Sequence, residues 1–105
     1  MTSDRIDKLR RMLESEPDDA FCLYALAQEY SKAGRHDEAL GWFDRVIAVE
    51  PGHGYAYFHK ARTLEAAGRV DEARSVLKQA LGVVSPQTDP KAVRELQEYL
   101  QSIAP

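Results

Sequence analysis

One hexapeptide occurs twice in this chain, and its spacing constrains the fold more than any other feature. It reads Gly-Arg-His-Asp-Glu-Ala from Gly34 and Gly-Arg-Val-Asp-Glu-Ala from Gly68, an offset of 34 residues. A fixed period of this size indicates a solenoid of stacked supersecondary units. Glycine after an apolar stretch ends a helix in the left-handed conformation, and the acidic pair favours the positive end of a new helix. Each copy therefore predicts a turn between two helices.

Apolar residues recur at three- and four-residue steps in six segments, as on one face of an α-helix. Residues that end or begin helices separate the segments: Gly34, Gly68 and Pro51-Gly52 end three of them, and Asp89-Pro90 begins the last. The predicted helices span about residues 3–15, 18–33, 36–49, 54–67, 70–82 and 89–103. No segment alternates like a strand, so we expect an all-α fold in which short turns make neighbouring helices antiparallel.

Charge and composition exclude several classes of function. The 105 residues have a net charge of −3, which disfavours nucleic acid and anionic membranes because both attract clusters of basic residues. No apolar run approaches the ~20 residues of a membrane span, and the charged N-terminus lacks the apolar stretch of a signal peptide. The single cysteine, Cys22, excludes an intrachain disulfide. We expect a cytoplasmic protein that binds neither nucleic acid nor membrane.

The order of individual side chains resembles the tetratricopeptide repeat (TPR), whose pattern is Trp-x2-Leu-Gly-x2-Tyr…Ala-x3-Phe…Pro. The first full unit has Leu in place of Trp and Ala in place of Gly, and its matching residues are Leu23, Leu26, Ala27, Tyr30, Ala39, Phe43 and Pro51. The second unit is looser, with Lys60 where Leu is usual and the closing proline one residue late at Pro86.

The resemblance implies a right-handed solenoid, an α-α superhelix of antiparallel helix pairs, that forms a single domain over residues 1–105. Residues 1–17 would form an N-terminal half-repeat, and residues 20–53 and 54–87 the two full repeats. Residues 89–103 would form a C-terminal capping helix. Its apolar residues, which we expect to cover the fifth helix, are Val93, Leu96, Leu100 and Ile103.

The resemblance also implies that the second and fourth helices line a concave groove. On a helical wheel, both helices carry a second set of side chains opposite the core-facing stripe. The candidate peptide-binding residues are Phe21, Tyr24, Gln28, Ser31, Tyr55, Phe58, His59, Arg62 and Glu65. The four aromatic members either form a groove floor between polar residues or pack against neighbouring helices, and the sequence leaves both possibilities open.

Some TPR relatives hold the C-terminal carboxylate of heat-shock chaperones with a clamp of Lys and Asn residues. Tyr24, Gln28 and His59 occupy three of the matching positions here. Since none of the three is Lys or Asn, the resemblance does not carry that specificity over to this chain.

No motif in the sequence indicates catalysis or metal binding. His36, His53 and His59 are not spaced as metal ligands, and together with Cys22 they make no four-ligand set. A phosphate-binding loop, a nucleophile elbow and a paired-carboxylate motif are all missing. We therefore expect no catalytic residue, no metal and no cofactor.

These observations predict a protein–protein interaction module, a scaffold or adaptor that binds a peptide segment of a partner protein in its concave groove. One alternative is structural self-association through the groove or the ends of the solenoid, in a chain that we otherwise expect to be a monomer or a weak homodimer. Another is a small enzyme that uses His36, His59 or Glu65, which would require a cavity with a strongly perturbed titratable pair. RNA binding by helical repeats is disfavoured by the negative charge.

Overall fold

The computed structural model describes residues 4–105, and within this range the chain forms six α-helices and no strand. The helices are α1 (Asp4–Ser15), α2 (Ala20–Lys32), α3 (His36–Val49), α4 (Gly54–Ala66), α5 (Val70–Val83) and α6 (Pro90–Ser102). The predicted start of the first helix at Ser3 lies outside the described residues. The other bounds agree with the apolar spacing to within two residues, and the all-α helical repeat fold is confirmed.

The repeated hexapeptide forms the same turn in both places. Gly34 and Gly68 have φ angles of 76° and 78°, a conformation that glycine adopts without steric cost. In each turn the glycine N–H and the next N–H donate to carbonyl groups of the preceding helix, as at a helix C-terminus. The following arginine pairs with the glutamate three residues on, at 2.7 Å for Arg35–Glu38 and 2.6 Å for Arg69–Glu72. The repeated residues therefore end one helix and begin the next.

The helices α2, α4 and α6 begin with the same capping contact. Asp19, His53 and Asp89 each accept a hydrogen bond from the backbone N–H three residues on, at 3.1 Å in all three cases. His53 does so through Nδ1, which requires a ring whose Nδ1 carries no proton. The first two caps are 34 residues apart and the last two 36. By this register, α6 stands where the first helix of a third repeat would begin.

The apolar core consists of two clusters. One lies mainly among α1, α2 and α3 and includes Ala56 of α4, and the other lies mainly among α4, α5 and α6 and includes Leu40 of α3. Ile47 of α3 packs against both. Small residues allow close helix approach within each pair, since Ala27, Ala39, Ala61 and Ala73 are all fully buried. Large residues fill the space beside them, and those that are completely shielded from solvent include Leu23, Leu26, Phe43, Val46, Leu77 and Leu96. Burial of each large side chain contributes about 1.5–3 kcal/mol to folding.

The last helix, α6, contacts both α5 and α4. Leu96 is fully buried, whereas Val93, Leu100 and Ile103 are only partly buried against the second core cluster. Gly54, at the start of α4, is buried against α6, because a Cβ built there would lie 2.8 Å from the Cβ of Ala92. α6 can therefore reach α4 this closely only where α4 has no side chain.

Candidate functional site

Two cavities lie along the surface that α2, α4 and α6 form together, and Arg62 lines both of them. The α2–α4 cavity has a volume of about 300 Å³ and is lined by Gln28, Ser31, Lys32, Phe43, His59, Arg62 and Ala66. The α4–α6 cavity has a volume of about 420 Å³ and is lined by Phe58, Arg62, Glu65, Glu95, Glu98 and Tyr99. The second volume lies within the range of small-ligand pockets, and the first lies at its lower limit.

Most of the candidate residues lie at these cavities. Six of the nine line one or both of them: Gln28, Ser31, Phe58, His59, Arg62 and Glu65. Phe21 lines neither and is 75% exposed. Tyr24 and Tyr55 also line neither cavity and are half-buried. The helical wheel therefore grouped residues that the tertiary structure divides between the cavities and their surroundings.

Tyr24 is packed between helices. Its ring centroid lies 4.8 Å from that of His53, 5.8 Å from that of His59 and 6.2 Å from that of Phe43. Burial raises the pKa of Tyr24 to about 12, with a smaller contribution from Tyr55. The Gln28 amide donates a hydrogen bond of 3.3 Å to its hydroxyl oxygen. Of the two roles that the sequence left open for Tyr24, these contacts favour packing against neighbouring helices.

Phe58 combines the two roles. Its ring is half-buried and contacts Tyr55 at 6.3 Å, His59 at 5.4 Å and Tyr99 at 5.2 Å between ring centroids. Phe58 also lines the α4–α6 cavity. Phe58 therefore joins α4 to α6 and also provides apolar surface within a cavity.

The hydroxyl of Ser31 already has a structural partner. Ser31 Oγ lies 3.0 Å from Thr63 Oγ1, and Thr63 Oγ1 in turn donates to the carbonyl oxygen of His59 at 2.8 Å. Because a hydroxyl carries one proton, Ser31 must be the donor in the Ser31–Thr63 bond. This bond connects α2 to α4 beside the α2–α4 cavity, which Ser31 lines.

The charges of the two cavities differ in sign. Lys32 and Arg62 line the α2–α4 cavity together with His59, and no carboxylate does, although Lys32 pairs with Glu29 at 3.6 Å. Burial lowers the pKa of His59, and the positive charge of Arg62 lowers it further. Three carboxylates line the α4–α6 cavity, those of Glu65, Glu95 and Glu98, with Arg62 as the single cation. The charge along the surface therefore changes from positive to negative across Arg62.

Arg62 itself is exposed. Within residues 4–105 its guanidinium forms neither a hydrogen bond nor an ion pair. Most other arginines of the repeats differ in this respect, since Arg35, Arg69 and Arg74 each pair with a carboxylate. The donors of Arg62 are therefore available to a bound molecule.

The residues that α6 contributes to this surface were not among the candidates expected from the sequence. Glu95, Glu98 and Tyr99 line the α4–α6 cavity, and the Tyr99 hydroxyl donates to Glu65 Oε1 at 2.7 Å. Burial, and secondly the bond to Glu65, raises the pKa of Tyr99 above its ordinary value. A signal was present, because the cap-to-cap step of 36 residues places Glu98 in the register of Arg62. The 34-residue period alone does not identify Glu98, because it places Leu96 in the register of Arg62.

Metal-binding clusters and membrane-spanning helices are both missing from the part of the chain that the structure describes. No group of three or more His, Cys, Asp or Glu residues among residues 4–105 could hold a metal ion. None of the six helices has the length and apolar character needed to cross a membrane.

Comparison with known proteins agrees with this architecture. The family model for the tetratricopeptide repeat matches residues 24–93, about two thirds of the chain. A search of curated proteins returns no match.

Three solved structures illustrate the similarity. Protein BPP2914 from Bordetella parapertussis is 24% identical, with 99% of this chain and 90% of that chain covered and a TM-score of 0.80. A tetratricopeptide repeat domain protein from Salinibacter ruber is 28% identical, with 85% and 90% covered and a TM-score of 0.74. MamA (MSR-1 C2) is 25% identical, with 93% and 57% covered and a TM-score of 0.63. The first similarity shows the same fold over nearly the whole of this chain.

Proposed function

Since the chain belongs to the tetratricopeptide repeat family, a family of protein–protein interaction modules, we propose that it binds a peptide segment of a partner protein. The proposed binding surface is formed by α2 and α4, the two helices that the sequence predicts to line the groove, together with α6. The candidate groove residues Gln28, Phe58, His59, Arg62 and Glu65 would contact the segment. In this role the protein is a scaffold or adaptor, and its cytoplasmic location stays a prediction.

One observation carries this proposal: Arg62 lies between two cavities with its guanidinium unpaired among the described residues. A guanidinium presents a planar fork of donors that matches a carboxylate in two parallel hydrogen bonds. Phe58 offers apolar surface on one side of it, and Gln28 and His59 offer polar groups on the other. These groups fit a segment in which an acidic residue is next to an apolar one.

A non-catalytic role fits the direction of the pKa shifts on this surface. Burial is the first cause of the raised pKa values of Tyr24 and Tyr99 and of the lowered pKa of His59, and the interaction with Glu95 is the first cause of the raised pKa of Tyr55. The shifts move the tyrosine pKa values further from neutral pH, whereas general acid–base catalysis needs a pKa near the working pH. The tetratricopeptide fold is generally a non-catalytic scaffold, and we propose the same for this chain.

The proposal can be tested before any natural partner has been identified. A random peptide library displayed on phage is selected on the wild-type protein, and the enriched peptides are synthesised and titrated by calorimetry. Arg62→Ala should weaken their binding by about 1–3 kcal/mol, which is the range of interface hot spots. Lys78→Ala is the matched control, because Lys78 is exposed on α5 and lines neither cavity. Selected peptides that bind the Arg62 variant as tightly as wild type would exclude this surface.

Light scattering across a range of protein concentrations distinguishes self-association from the proposed peptide binding. A stable dimer at about micromolar concentration that Arg62→Glu dissociates would favour self-association, because its interface would then include the same surface. A monomer throughout this range, combined with groove-dependent peptide binding, would favour the proposed function.

A further inference from the structure

The α4–α6 cavity differs in charge from its neighbour, and we infer that it binds a cationic side chain, a lysine or an arginine of the partner segment. The inference deepens the proposed function, and it rests on that proposal for the idea that a peptide occupies the surface. The carboxylates, the aromatic rings and the cavity size each support it.

The carboxylates of the cavity have no cationic partner. None of Glu65, Glu95 and Glu98 forms an ion pair within residues 4–105, although Arg62 lines the same cavity. Glu65 accepts the hydroxyl proton of Tyr99, and Glu95 interacts with the hydroxyl of Tyr55 and raises the pKa of that group. The Tyr99 phenol orients the Glu65 carboxylate without neutralising its charge. A cation entering the cavity therefore meets an excess of negative charge.

The aromatic rings add a second attraction for a cation. Phe58 and Tyr99 both line the cavity, with their ring centroids 5.2 Å apart and their planes inclined by 53°. The face of an aromatic ring attracts an ammonium or guanidinium group within about 6 Å of its centroid. The aliphatic stem of lysine or arginine packs on the same apolar surface while its charged end reaches the carboxylates.

The size of the cavity favours an organic cation over a metal ion. Its volume is about 420 Å³, which is the scale of small-ligand pockets. The carboxylates do not converge closely enough to hold a metal, since the described residues contain no group of acidic, His or Cys side chains that could do so. Carboxylates spread around a wide cavity that also contains two aromatic rings suit a long cationic side chain. Arginine has a delocalised charge, and lysine has a charged end on a flexible stem.

Together, the charges of the two cavities predict the order in which acidic and basic residues occur along the bound segment. Arg62, which has no ion-pair partner among the described residues, favours an acidic residue in the α2–α4 cavity, while the three glutamates favour a basic residue in the α4–α6 cavity. A segment that contains both charges can bind in one direction only, because reversal would bring like charges together. The whole-chain charge of −3 also favours approach of a basic residue.

The test uses side-chain analogues. Isotope-labelled protein is titrated with N-acetyl-arginine amide and, as matched neutral and acidic probes, with N-acetyl-citrulline amide and N-acetyl-glutamate amide. The arginine probe should shift backbone amide resonances of residues 58–65 and 95–99 in a saturable way, and the citrulline probe should bind more weakly at the same place. Shifts scattered over the surface, or equal binding of the arginine and citrulline probes, would overturn the inference.

Isosteric variants identify the groups responsible. The double variant Glu95→Gln and Glu98→Gln should weaken binding of the arginine probe by about three- to tenfold, the effect of removing two charge contacts near the surface. Glu14→Gln, the same change at an exposed site on α1 that lines no cavity, should leave it unchanged. Arg62→Ala should not weaken this probe, since it removes a like charge. An unchanged affinity in the double variant would also overturn the inference.

The inference and the proposed function can fail separately. If library-selected peptides bind through Arg62 but carry no basic residue, and the arginine probe does not bind, the function stands and the cation site is wrong. If the arginine probe binds at the α4–α6 cavity but no peptide is selected on the wild-type protein, the cation site stands and the proposed function is wrong.

Discussion

At the residue scale, backbone conformation separates the glycines that this fold requires from those that it only tolerates. Gly34 and Gly68 have positive φ angles, and no atom lies within 4 Å of a Cβ built at either position. The cost of a side chain there is therefore conformational and involves no clash. Gly41 lies within α3 and is equally open, but its backbone is helical.

The same substitution should have opposite effects at the two kinds of glycine. Gly34→Ala and Gly68→Ala should each destabilise the protein by about 1 kcal/mol, because a β-carbon is disfavoured in the left-handed conformation. Gly41→Ala should instead stabilise it by about 0.5–1 kcal/mol, because glycine weakens a helix interior. Chemical denaturation of the three variants measures the change in the free energy of unfolding and its sign for each. Stabilisation by all three substitutions would show that the turns do not need left-handed residues.

The stability of the protein should depend on the protonation of His59. Burial and the charge of Arg62 lower the pKa of His59 from 6.5, while Glu95 opposes this, and Tyr24 packs on the ring from α2. As the pH falls through 6.5, the unfolded chain therefore takes up a proton before the folded chain does. The free energy of unfolding should decrease over this range and level off below the pKa of the folded state.

Substitutions can identify the group responsible for this pH dependence of stability. His59→Gln should flatten the decrease in stability between about pH 7.5 and pH 5.5, because it removes the titrating group. Arg62→Gln should reduce it in part, and Lys78→Gln, a charge change remote from the ring, should leave it intact. Urea denaturation at each pH provides the measurement. A His59→Gln protein with the pH dependence of wild type would assign the effect to another group.

At the scale of helices, α6 is part of the core as well as part of the surface. Leu96 is fully buried in the second core cluster, and Arg74 of α5 donates a hydrogen bond of 2.9 Å to the carbonyl oxygen of Ile103. Solenoids expose an apolar face when their terminal helix is missing, and they then lose solubility. α6 therefore contributes to stability independently of any role in binding.

Removal of residues 89–105 should expose the apolar faces of α4 and α5. The shortened chain should aggregate or lose cooperative unfolding, as measured by light scattering and by thermal melting followed by circular dichroism. A chain that lacks only Ala104 and Pro105 is the control, because both residues are exposed and follow the helix. A chain ending at Thr88 that stays monomeric and melts like wild type would contradict this role of α6.

At the scale of the whole molecule, the two core clusters are connected through α3 and α4. Ile47 packs against both clusters, Ala56 of α4 belongs to the first, and Leu40 of α3 belongs to the second. In a repeat protein, cooperativity depends on such interfaces between neighbouring units. The described part of the chain should therefore unfold as one unit.

Trp42 provides the means to measure this coupling. It is the only tryptophan of the chain, and its ring is stacked on that of Tyr30 in the first half of the molecule, at 6.3 Å between centroids. Leu96→Ala, at the opposite end, should cost about 2–5 kcal/mol. In urea it should lower the midpoint of the Trp42 fluorescence transition as much as that of the circular dichroism transition. An unchanged Trp42 midpoint beside a biphasic dichroism curve would show that the halves unfold separately.

The sequence by itself determined the helices, the turns and the apolar stripes. Each of these depends on interactions over a few residues: left-handed glycines such as Gly34, apolar residues one turn apart, and caps three residues from their donors. The 34-residue period then predicted how the repeats stack, because equivalent residues such as Ala27 and Ala61 must occupy equivalent environments. Local physics and repetition thus account for the fold, and for the presence of six candidate residues at the two cavities.

Only the tertiary structure decided what these residues contact. Tyr24 is packed among His53, His59 and Phe43, and α6 brings Glu95, Glu98 and Tyr99 to the surface of α4. Neither result follows from a helical wheel, which gives the direction of a side chain but not the neighbour that it meets. The approach of α6 depends on the missing side chain of Gly54 and on a loop before α6, residues 84–89, that is two residues longer than the equivalent loop before α4, residues 50–53. The charge order of the surface therefore arises from the packing of one helix against another, which no local pattern encodes.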